Sequence, residues 1–536
     1  MTGTGAASGA LLPQQSGPLR VAIITENFLP KVDGSTLTIA NLLQHLDATN
    51  VQAMLFGPES GMSEYAGASV FGTFGIPMRI YPGLKINFIS PAFICALRKF
   101  APHVIHLVDP IWLGVQALTA ITLLFPATPV VTSHHTNLPT YAAVFGYPYY
   151  PYRTWQVHAY FHSFARCTLV PSASTADLLA ERGFANLRVV SRGADFSLFN
   201  SALRSVALRQ QWVSAAATAH SASFPVTISL VSDPVIILSV GRLSREKNLT
   251  FLIDAVAALP PRPRAQSILV FVGDGPYRRV LEARCAAGGV SAVFTGHLSG
   301  RRLGEALASG DIIGAPSLTE TFGQVTLQGM AAGLAVAGLM AEGTADLVVH
   351  GHTGLLLDIG AAGEDTSWAP LMALGRGARA LGWAEAAPLL DKNIKPLTGR
   401  FACMLEVLIR DGPLRRRMGQ AGAQAARGGA YEWERCARLA VEAYGEAAGA
   451  PVVDVKLASG SSLPPTIQAL IDATVVLLAM CLTFLSHAAC MVPAARDLRK
   501  RGWWGGLGQG RTAATAAEAP SEVALDTSRG GSERGV

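Results

Sequence analysis

The chain has little charge and no paired cysteines. Only 15% of its 536 residues are charged, 50% are hydrophobic, and the net charge is +6. For this length, that balance does not supply the clustered basic surface that nucleic-acid binding requires, so we expect no nucleic-acid partner. The seven cysteines form no C-x-x-C pair, which argues against a disulfide framework or a structural zinc site and favours a reducing compartment.

Long hydrophobic runs are also scarce. Residues 1–18 contain no apolar stretch typical of a signal peptide, and we expect them to be disordered. One run, 473–492 within a predicted membrane segment at 467–492, reaches the length of about 20 residues that a bilayer requires. Arginines and two tryptophans follow it, a pattern typical of a membrane–water boundary. The run therefore predicts membrane association through a C-terminal hydrophobic helix. An interfacial or re-entrant helix and a buried terminal helix are the alternatives to a span.

The rest of the chain alternates between strand-like and helix-like segments. This pattern predicts an α/β fold with two doubly wound, Rossmann-like domains that face a cleft. The predicted strands are 21–25, 51–57, 103–108, 129–135, 166–172, 235–241, 267–273, 291–296, 311–317 and 334–339. The predicted divisions are an N-terminal domain at 19–200, a linker without clear pattern at 201–233, a C-terminal domain at 234–430 with an insertion near 360–400, a closing helix at 431–450 and a disordered tail at 505–536.

The segment SLTETFGQVTLQGMAAG (317–333) contains the most specific chemical signal. It predicts a loop that opens into a helix, with Thr319 and Thr321 as capping residues and Gly323 permitting close backbone approach. A helix start offers unpaired N–H groups that suit a phosphate. An acid beside such a site, Glu320, indicates a second ligand group, and sugar hydroxyls are the natural candidates.

A second signal lies in VGRLSREKNL (240–249), directly after a predicted strand. It contains Arg242 and Lys247. An arginine grips two oxygens and a lysine acts as a point charge, so the pair predicts a diphosphate clamp. Two doubly wound domains also form a cleft at the carboxyl ends of their strands, where ligands bind.

Together these motifs resemble the retaining nucleotide-sugar glycosyltransferases of family 4, which have the GT-B fold. The resemblance covers roughly residues 19–450 and includes VSRGADFSLF, VGDGPYRRVLE and FTGHLSGRRLGEALASGDIIGAPS in the family's order. ITENFLPKVDGSTLTIANLL and TSHHTNLPTY look closest to the subgroup of sulfoquinovosyl-diacylglycerol synthases and GDP-mannose-dependent mannosyltransferases. The motifs are specific for the family but not for a substrate.

The resemblance implies roles for individual residues. His135, Glu320, Lys247 and Arg242 would be the catalytic set, with Arg242 and Lys247 neutralising the departing diphosphate and Glu320 binding sugar hydroxyls. The donor-binding set implied by the family is Gly34, Arg242, Lys247, Glu320, Thr321, Phe322, Gly323 and Gln328. The candidate cleft residues are Arg192, Asp109 and Gly273. His134, His103 and His106 are expected to be structural or solvated.

One position departs from the family pattern. A second glutamate is expected where Gln328 stands, and its implied partner is the nucleotide ribose. An amide keeps an acceptor but loses the charge, which weakens binding by about 1–2 kcal/mol. No nucleophile is lost, because the mechanism implied by the family has the acceptor attack from the leaving-group face while the phosphate takes its proton. The sequence also lacks an Asp-x-Asp pair, so we expect no metal and no other cofactor.

The motifs and the late apolar run together predict a membrane-associated retaining glycosyltransferase with its catalytic domains in the cytosol. It would transfer a sugar from a UDP- or GDP-sugar to a lipid or glycolipid acceptor, and sulfoquinovose and mannose both remain open. An alternative, raised by Gln328, is a catalytically weak nucleotide-sugar-binding or scaffold subunit. An epimerase of similar fold is less consistent with the TETFG context.

Overall fold

The computed structural model describes residues 17–46, 48–77, 85–138, 140, 151–223, 233–358 and 383–449. All of them belong to one compact unit, Met1–Val476. Most of the expected disordered N-terminus, the hydrophobic segment at 467–492 and the tail at 505–536 lie outside the described residues. Among the helices that are described, none is long and apolar enough to cross a membrane.

Buried aliphatic segments form the first sheet. It has eight strands in the order β10-β9-β8-β7-β1-β2-β4-β3, and all neighbouring pairs are parallel except β3–β4. The next two strands in the chain, β5 and β6, form a separate antiparallel pair. The strands are β1 (Leu19–Thr25), β2 (Val51–Pro58), β3 (Glu64–Tyr65), β4 (Ala68–Thr73), β5 (Gly75–Pro77), β6 (Lys85–Asn87), β7 (Val104–Val108), β8 (Val130–Ser133), β9 (Cys167–Val170) and β10 (Leu187–Val189).

Helices connect these parallel strands, as crossover connections require. The helices are α1 (Gly34–Leu46), α2 (Pro91–Phe100), α3 (Leu113–Leu124), α4 (Pro151–Ser163) and α5 (Ala173–Glu181). Serine hydroxyls cap two of them: Ser90 accepts the N–H of Phe93 at the start of α2, and Ser172 accepts that of Thr175 in α5. The α3 start is instead held by a buried carboxylate, Glu26, whose Oε1 accepts the N–H of Trp112 at 2.7 Å and that of Gly114 at 2.9 Å.

A second, fully parallel sheet has six strands in the order β13-β12-β11-β14-β15-β16. Its strands are β11 (Val235–Val240), β12 (Ser267–Val272), β13 (Ala292–Gly296), β14 (Ile312–Ala315), β15 (Ala335–Leu339) and β16 (Gly354–Leu357). The helices after the first sheet are α6 (Val206–Ser223), α7 (Leu249–Ala257), α8 (Pro261–Ala265), α9 (Arg278–Gly288), α10 (Gly300–Ala308), α11 (Gln324–Ala331), α12 (Glu342–Leu347), α13 (Trp383–Arg410), α14 (Gly412–Ala426) and α15 (Trp433–Gly449). Every predicted strand is present.

In each sheet, successive strands are added first to one side and then to the other, and a ligand-binding crevice is expected at the point where this order reverses. In the first sheet this point lies between β1 and β7, and in the second between β11 and β14. Loops that leave such neighbouring strands diverge to opposite faces and open a crevice at the carboxyl edge. Gly34 begins α1, which follows β1, and the loops after β7, β11 and β14 carry Asp109, Arg242 and Glu320 respectively. The topology therefore concentrates the predicted residues at two switch points.

The expectation of an unpatterned linker at 201–233 is wrong for most of that range. Residues Val206–Ser223 form α6, which belongs to the second core through buried Trp212 and Ala216. Arg209 fixes the helix by a 2.9 Å ion pair with Asp311. Alanine has the highest helix propensity, and Leu208, Trp212 and Ala216 recur every four residues on one face. The predicted insertion near 360–400 likewise contains the start of α13.

The closing helix α15 returns to the first sheet. Its small residues Ala437, Ala440 and Ala443 are buried in the core that contains β1 and α1, together with Tyr444. Small side chains at intervals of three allow the helix to lie close to α1. The end of the chain's second half therefore completes the core of its first half.

Candidate active site

The Arg242 loop is packed backbone to backbone against the loop that contains Gly273. A Cβ on Gly273, whose φ is +143°, would overlap the carbonyl oxygen of Gly241. The N–H of Leu243 donates to the carbonyl of Asp274 at 3.0 Å, and that of Tyr277 donates to the carbonyl of Leu243 at 3.0 Å. Gly273 thus supports the Arg242 loop by allowing this close approach.

Lys247 and Glu320, predicted independently from two motifs, form an ion pair. The Lys247 Nζ lies 2.7 Å from the Glu320 Oε2, and the two side chains are 27% and 24% exposed. Asn248, in the left-handed conformation at φ +53°, donates from Nδ2 to the carbonyl of Pro316 at 3.0 Å. The loops after β11 and β14 are therefore joined at the switch point of the second sheet.

Helix α11 opens directly beside this pair. Its N-cap is Gly323, at φ +89°, and a Cβ there would come within 3.0 Å of Leu347. Within the described residues, the backbone N–H groups of Thr321, Phe322 and Gly323 donate to no other group. The expectation that threonines cap this helix is wrong, because α11 has no side-chain cap. Three N–H groups and the helix dipole thus create a positive site next to Glu320.

The threonine hydroxyls are used elsewhere, in contacts between the two halves of the site. The Thr321 hydroxyl donates to the carbonyl of His135 at 2.8 Å, and the Thr321 carbonyl accepts from Ser172 at 2.8 Å and Thr175 at 2.9 Å. The Gln324 amide donates to the carbonyl of Gly193 at 2.8 Å. The start of α11 is thus held against loops of the first sheet.

Glu342, which no sequence motif indicated, organises the same loop. Its Oε2 accepts the N–H of Glu320 at 2.7 Å, the Thr319 hydroxyl at 3.1 Å and the Asn137 amide at 3.1 Å. Burial raises its pKa to about 7 against these hydrogen bonds, and the Glu320 charge adds to the rise. Its φ of +41° is unusual for a residue other than glycine, and such strain clusters at functional sites.

His135 lies in the loop after β8, and Asp109 shapes that loop. The Asp109 carboxylate accepts the His135 N–H at 2.6 Å and the Thr136 hydroxyl at 3.0 Å. Burial raises the Asp109 pKa from its usual value. The His135 ring has a partner at each nitrogen: Ser133 Oγ is 2.9 Å from Nε2, and an Arg192 nitrogen is 3.3 Å from Nδ1. Burial, then the Arg192 charge, lowers the pKa of His135 well below its usual value, so the ring is neutral.

Arg192 is buried at 5% exposure and connects three predicted residues. It donates to the His135 ring and to the His135 carbonyl, each at 3.3 Å. Its guanidinium lies 6.0 Å from the centre of the buried Phe322 ring, within reach of a cation–π contact. A Cβ on Gly34 would come 3.3 Å from an Arg192 nitrogen. Gly34 therefore leaves room for the guanidinium at the start of α1.

Comparison with known proteins identifies the family. A model described as Glycosyltransferase Family 4 matches residues 32–198, and one described as Glycosyl transferases group 1 matches residues 225–367. A GDP-mannose-dependent alpha-mannosyltransferase of Mycobacterium tuberculosis is 32% identical over 348 residues, which are 64% of this chain and 84% of that protein. The chain belongs to glycosyltransferase family 4.

Two further matches agree with this family 4 glycosyltransferase assignment. Sulfoquinovosyl transferase SQD2 of Arabidopsis thaliana is 31% identical over 355 residues, 64% of this chain and 65% of that protein. A sucrose-phosphate synthase from Thermosynechococcus elongatus superposes with a TM-score of 0.56 at 18% identity, covering 80% of this chain and 98% of that one. The family and subgroup resemblance, the enzyme class and the GT-B arrangement of two α/β halves are thereby confirmed.

In this family 4 glycosyltransferase most of the predicted residues come together. Lys247, Glu320, Thr321, Phe322, His135 and Arg192 form one connected cluster, whereas Asp109 and Gly273 support its loops. Gln328 lies on α11 four residues after Gln324, so the two share one face of the helix. Its side chain makes no hydrogen bond to another described residue.

Several functional candidates were missed. Asn137 donates to both Thr319, at 3.2 Å, and Glu342, and its place in the HTNLP motif was a signal for it.

Lys31 follows β1 and pairs with Asp33 at 3.5 Å. Burial lowers the Lys31 pKa, Asp33 opposes that effect, and the charge of Arg242 adds to it. The charge of Lys31 is therefore close enough to Arg242 for the two cations to repel each other.

A small open pocket of about 40 Å³ lies beside His135, between α1 and α15. Apolar side chains make up most of its wall, including Ile39, Leu42, Val190 and Trp433, while the His135 ring forms a polar part. Nowhere in the described part of the chain do three or more His, Cys, Asp or Glu residues form a group able to hold a metal ion.

Proposed function

We propose that this family 4 glycosyltransferase is a retaining enzyme that moves a sugar from a nucleotide-sugar donor to a lipid acceptor. The observation that carries the proposal is the Lys247–Glu320 pair beside the open N–H groups of α11. Cations and N–H groups attract phosphate oxygens, and an adjacent carboxylate accepts hydrogen bonds from hydroxyls. A nucleotide-sugar presents these two kinds of group next to each other.

The donor's parts are assigned by charge. Arg242 and Lys247, with Lys31 nearby, would bind the diphosphate, while the N–H groups of Thr321 to Gly323 cradle its oxygens. Glu320 would accept hydrogen bonds from the sugar hydroxyls, and Gln328 would face the ribose. When the donor binds, the ion pair would separate: Lys247 turns to a phosphate oxygen of the donor, and Glu320 turns to a sugar hydroxyl.

The chemistry assigned to this site is stabilisation of the leaving group. As the bond from the sugar carbon to the phosphate oxygen breaks, negative charge grows on the phosphate, and Arg242, Lys247 and the α11 N–H groups stabilise it. The acceptor hydroxyl forms the new bond on the same face, and its proton passes to the departing phosphate. His135 is neutral with a partner at each ring nitrogen, so we assign it to lining the site and not to accepting that proton.

The proposed donor is tested by thermal unfolding with GDP-mannose, UDP-sugars, GDP and UDP. A donor at about 100 times its dissociation constant stabilises the folded state by about 2.7 kcal/mol. The relatives' names make GDP-mannose and a sulfoquinovose donor the first to test. Stabilisation by a nucleotide-sugar, lost in Lys247→Ala, supports the proposal, whereas no response to any of them contradicts it. Binding with no turnover would support the scaffold alternative.

Two observations support a lipid acceptor. The run at 473–492 is apolar enough to meet a bilayer, and the pocket beside His135 offers an apolar wall next to the sugar site. We expect transfer to diacylglycerol or a glycolipid in vesicles to exceed transfer to soluble sugars. The product's anomeric configuration, read by NMR, should match the donor's. An inverted product or exclusive use of soluble acceptors would contradict the proposal.

We also propose that no metal is needed, because the cations at the diphosphate position come from side chains and the sequence has no Asp-x-Asp pair. Turnover should persist after treatment with EDTA. Loss of turnover that Mg²⁺ or Mn²⁺ restores would contradict this expectation.

A further inference from the structure

Tyr444 is a fully buried tyrosine on the closing helix α15, which lies far along the chain from the motifs that contain the candidate site residues. It is 0% exposed, and its hydroxyl lies 2.9 Å from Nδ1 of His106 on β7. His106 is itself buried, at 1% exposure. A tyrosine hydroxyl placed in an aliphatic core needs a hydrogen-bond partner. Here that partner leads towards the active site.

From His106 a chain of short contacts reaches His135. The His106 Nε2 lies 2.8 Å from Ser133 Oγ, and the same oxygen lies 2.9 Å from His135 Nε2. The His135 Nδ1 then receives Arg192 at 3.3 Å. The chain therefore joins α15 to the pair of residues that touches Phe322 and Thr321.

The donors in this chain converge on Ser133. Arg192 can only donate, so His135 Nδ1 must accept, and the hydrogen of the neutral His135 ring lies on Nε2, where it is donated to Ser133 Oγ. Among the described residues, His106 Nδ1 is the partner of the Tyr444 hydroxyl, so that hydroxyl donates to it and the His106 hydrogen lies on Nε2. The Ser133 oxygen has two lone pairs and accepts from both rings.

We propose that Tyr444 is a positioning residue for the transfer reaction: its hydroxyl, through His106, holds the Ser133 oxygen that accepts from His135 Nε2 and so fixes the His135 ring beside Arg192. This inference rests on the proposed function for its effect on rate. Burial lowers the pKa of His106 to about 3, which agrees with two neutral rings in the chain.

Removal of the Tyr444 hydroxyl would disturb the middle of the chain. His106 Nδ1 would lose its donor, and a buried polar group without a partner is unfavourable. If the His106 hydrogen moves to Nδ1, its Nε2 becomes an acceptor and the Ser133 hydroxyl turns to donate to it. The contact between Ser133 and His135 Nε2–H is then the one that weakens.

The same part of the chain supports the Arg192 side. The Trp433 ring lies 2.7 Å from where a Cβ of Gly193 would be, so glycine is required for their contact. The N–H of Ala194 donates to the carbonyl of Tyr431 at 3.0 Å. The closing segment therefore holds Arg192 by packing and His135 by hydrogen bonds.

The test is Tyr444→Phe, with Tyr65→Phe as the matched control. The Tyr65 hydroxyl accepts from Gln44 at 3.0 Å, outside this chain. We expect Tyr444→Phe to lower kcat about tenfold with the donor KM within about twofold, since the donor-binding groups are untouched. Tyr65→Phe should leave both unchanged. An unchanged kcat in folded Tyr444→Phe would overturn the proposal.

Two further readouts separate positioning from mere packing. Ser133→Ala breaks the chain in its middle, so adding Tyr444→Phe to it should cause no further loss of kcat, whereas losses that multiply would overturn the proposal. NMR of ¹⁵N-histidine protein, with His106 assigned from its absence in a His106 variant, should show the His106 hydrogen on Nε2 in the wild type and a shift towards Nδ1 in Tyr444→Phe. An unchanged tautomer would overturn it. The NMR measurement does not require turnover, so an inactive wild type would contradict only the proposed function.

Discussion

We expect the charges of Lys247 and Glu320 to affect catalytic activity more than the free energy of unfolding. Their side chains are each about one quarter exposed, and ion pairs with that degree of solvent contact contribute little to folding. Each partner is held in place by the other, within a loop tied to its neighbour through Asn248. The proposed chemical role of the pair therefore explains its presence better than a contribution to stability does.

Glu342 gives the site a pH-dependent stability. Its pKa is raised from 4.5 to about 7 in the fold, so between those values the folded chain retains a proton that the unfolded chain releases. Stability therefore falls as pH rises from about 4.5 to about 7, by about 3 kcal/mol, and levels off above. Glu342→Gln removes this titration and keeps an oxygen acceptor. Chemical denaturation across that range should show the wild type losing stability relative to the variant. Parallel curves would contradict the assignment.

Gln328 tests the ribose assignment. Gln328→Glu places a charged acceptor on α11 where the family has one, so donor binding should tighten by about 1 kcal/mol, seen as a lower donor KM. Gln324→Glu, one turn earlier, is the contrast, because a carboxylate cannot donate to the Gly193 carbonyl and should weaken the contact between the two loops. Complete inactivation by Gln328→Glu would show that this side chain does not face the ribose.

Motifs predicted the candidate site residues but not the residues that hold them in place. Glu320 and Lys247 stand in short patterns, and so could be chosen from the sequence. Glu342 acts on Asn137, which is 205 positions away, and Tyr444 acts through His106, which is 338 positions away. Such contacts exist only once the fold is formed. Thr319 and Thr321 failed as caps for the same reason, since Glu342 and His135 offered their hydroxyls long-range acceptors.

At the scale of elements, the close contact between the backbones of Gly241 and Gly273 supports the loop that contains Arg242. Gly273→Ala should raise the donor KM and lower the free energy of unfolding, because a Cβ would overlap the Gly241 carbonyl. Gly183→Ala is the matched control: its φ is also positive, at +88°, but no atom lies within 4 Å of a Cβ there. We expect Gly183→Ala to lose only about 1–2 kcal/mol from its left-handed backbone. Equal effects of the two variants on donor KM would contradict the role of Gly273.

Helix α6 is predicted to be an integral part of the second core. Trp212 is 3% exposed, so Trp212→Ala should lower the free energy of unfolding by about 3–5 kcal/mol. Gln211→Ala, at an exposed neighbouring position, should change it by less than about 0.5 kcal/mol. Denaturant titration distinguishes them. If Trp212→Ala left stability unchanged, the segment would be a tether as its composition first indicated.

The elements that the sequence revealed are the buried strands, whose continuous aliphatic runs are typical of parallel sheets covered on both faces. The short edge strands β3, β10 and β16 were not predicted, because with two, three and four residues they are too short to show a clear pattern. Helix α6 was missed although Leu208, Trp212 and Ala216 carried the correct spacing, because the surrounding Ala and Ser obscured it. Composition outweighed periodicity in that interpretation.

At the scale of the whole molecule, two sheets bring their switch points to one site, and α15 returns to the first sheet to complete its core. The doubly wound architecture was predictable from alternating strands and helices. The return of α15 was not, since a helix's own sequence does not indicate which of two cores it will join. That return is what connects Tyr444 to the site.

The most direct test of the account is turnover of GDP-mannose and UDP-sugars by the purified protein, measured as release of the nucleotide, for wild type, Lys247→Ala and Glu320→Ala. Arg410→Ala, in an exposed ion pair with Glu406 at 2.7 Å, is the control. The account predicts turnover of at least one donor, a loss of about 100-fold or more in each site variant with unfolding temperature nearly unchanged, and wild-type behaviour in the control. Wild-type turnover in Lys247→Ala or Glu320→Ala would contradict it.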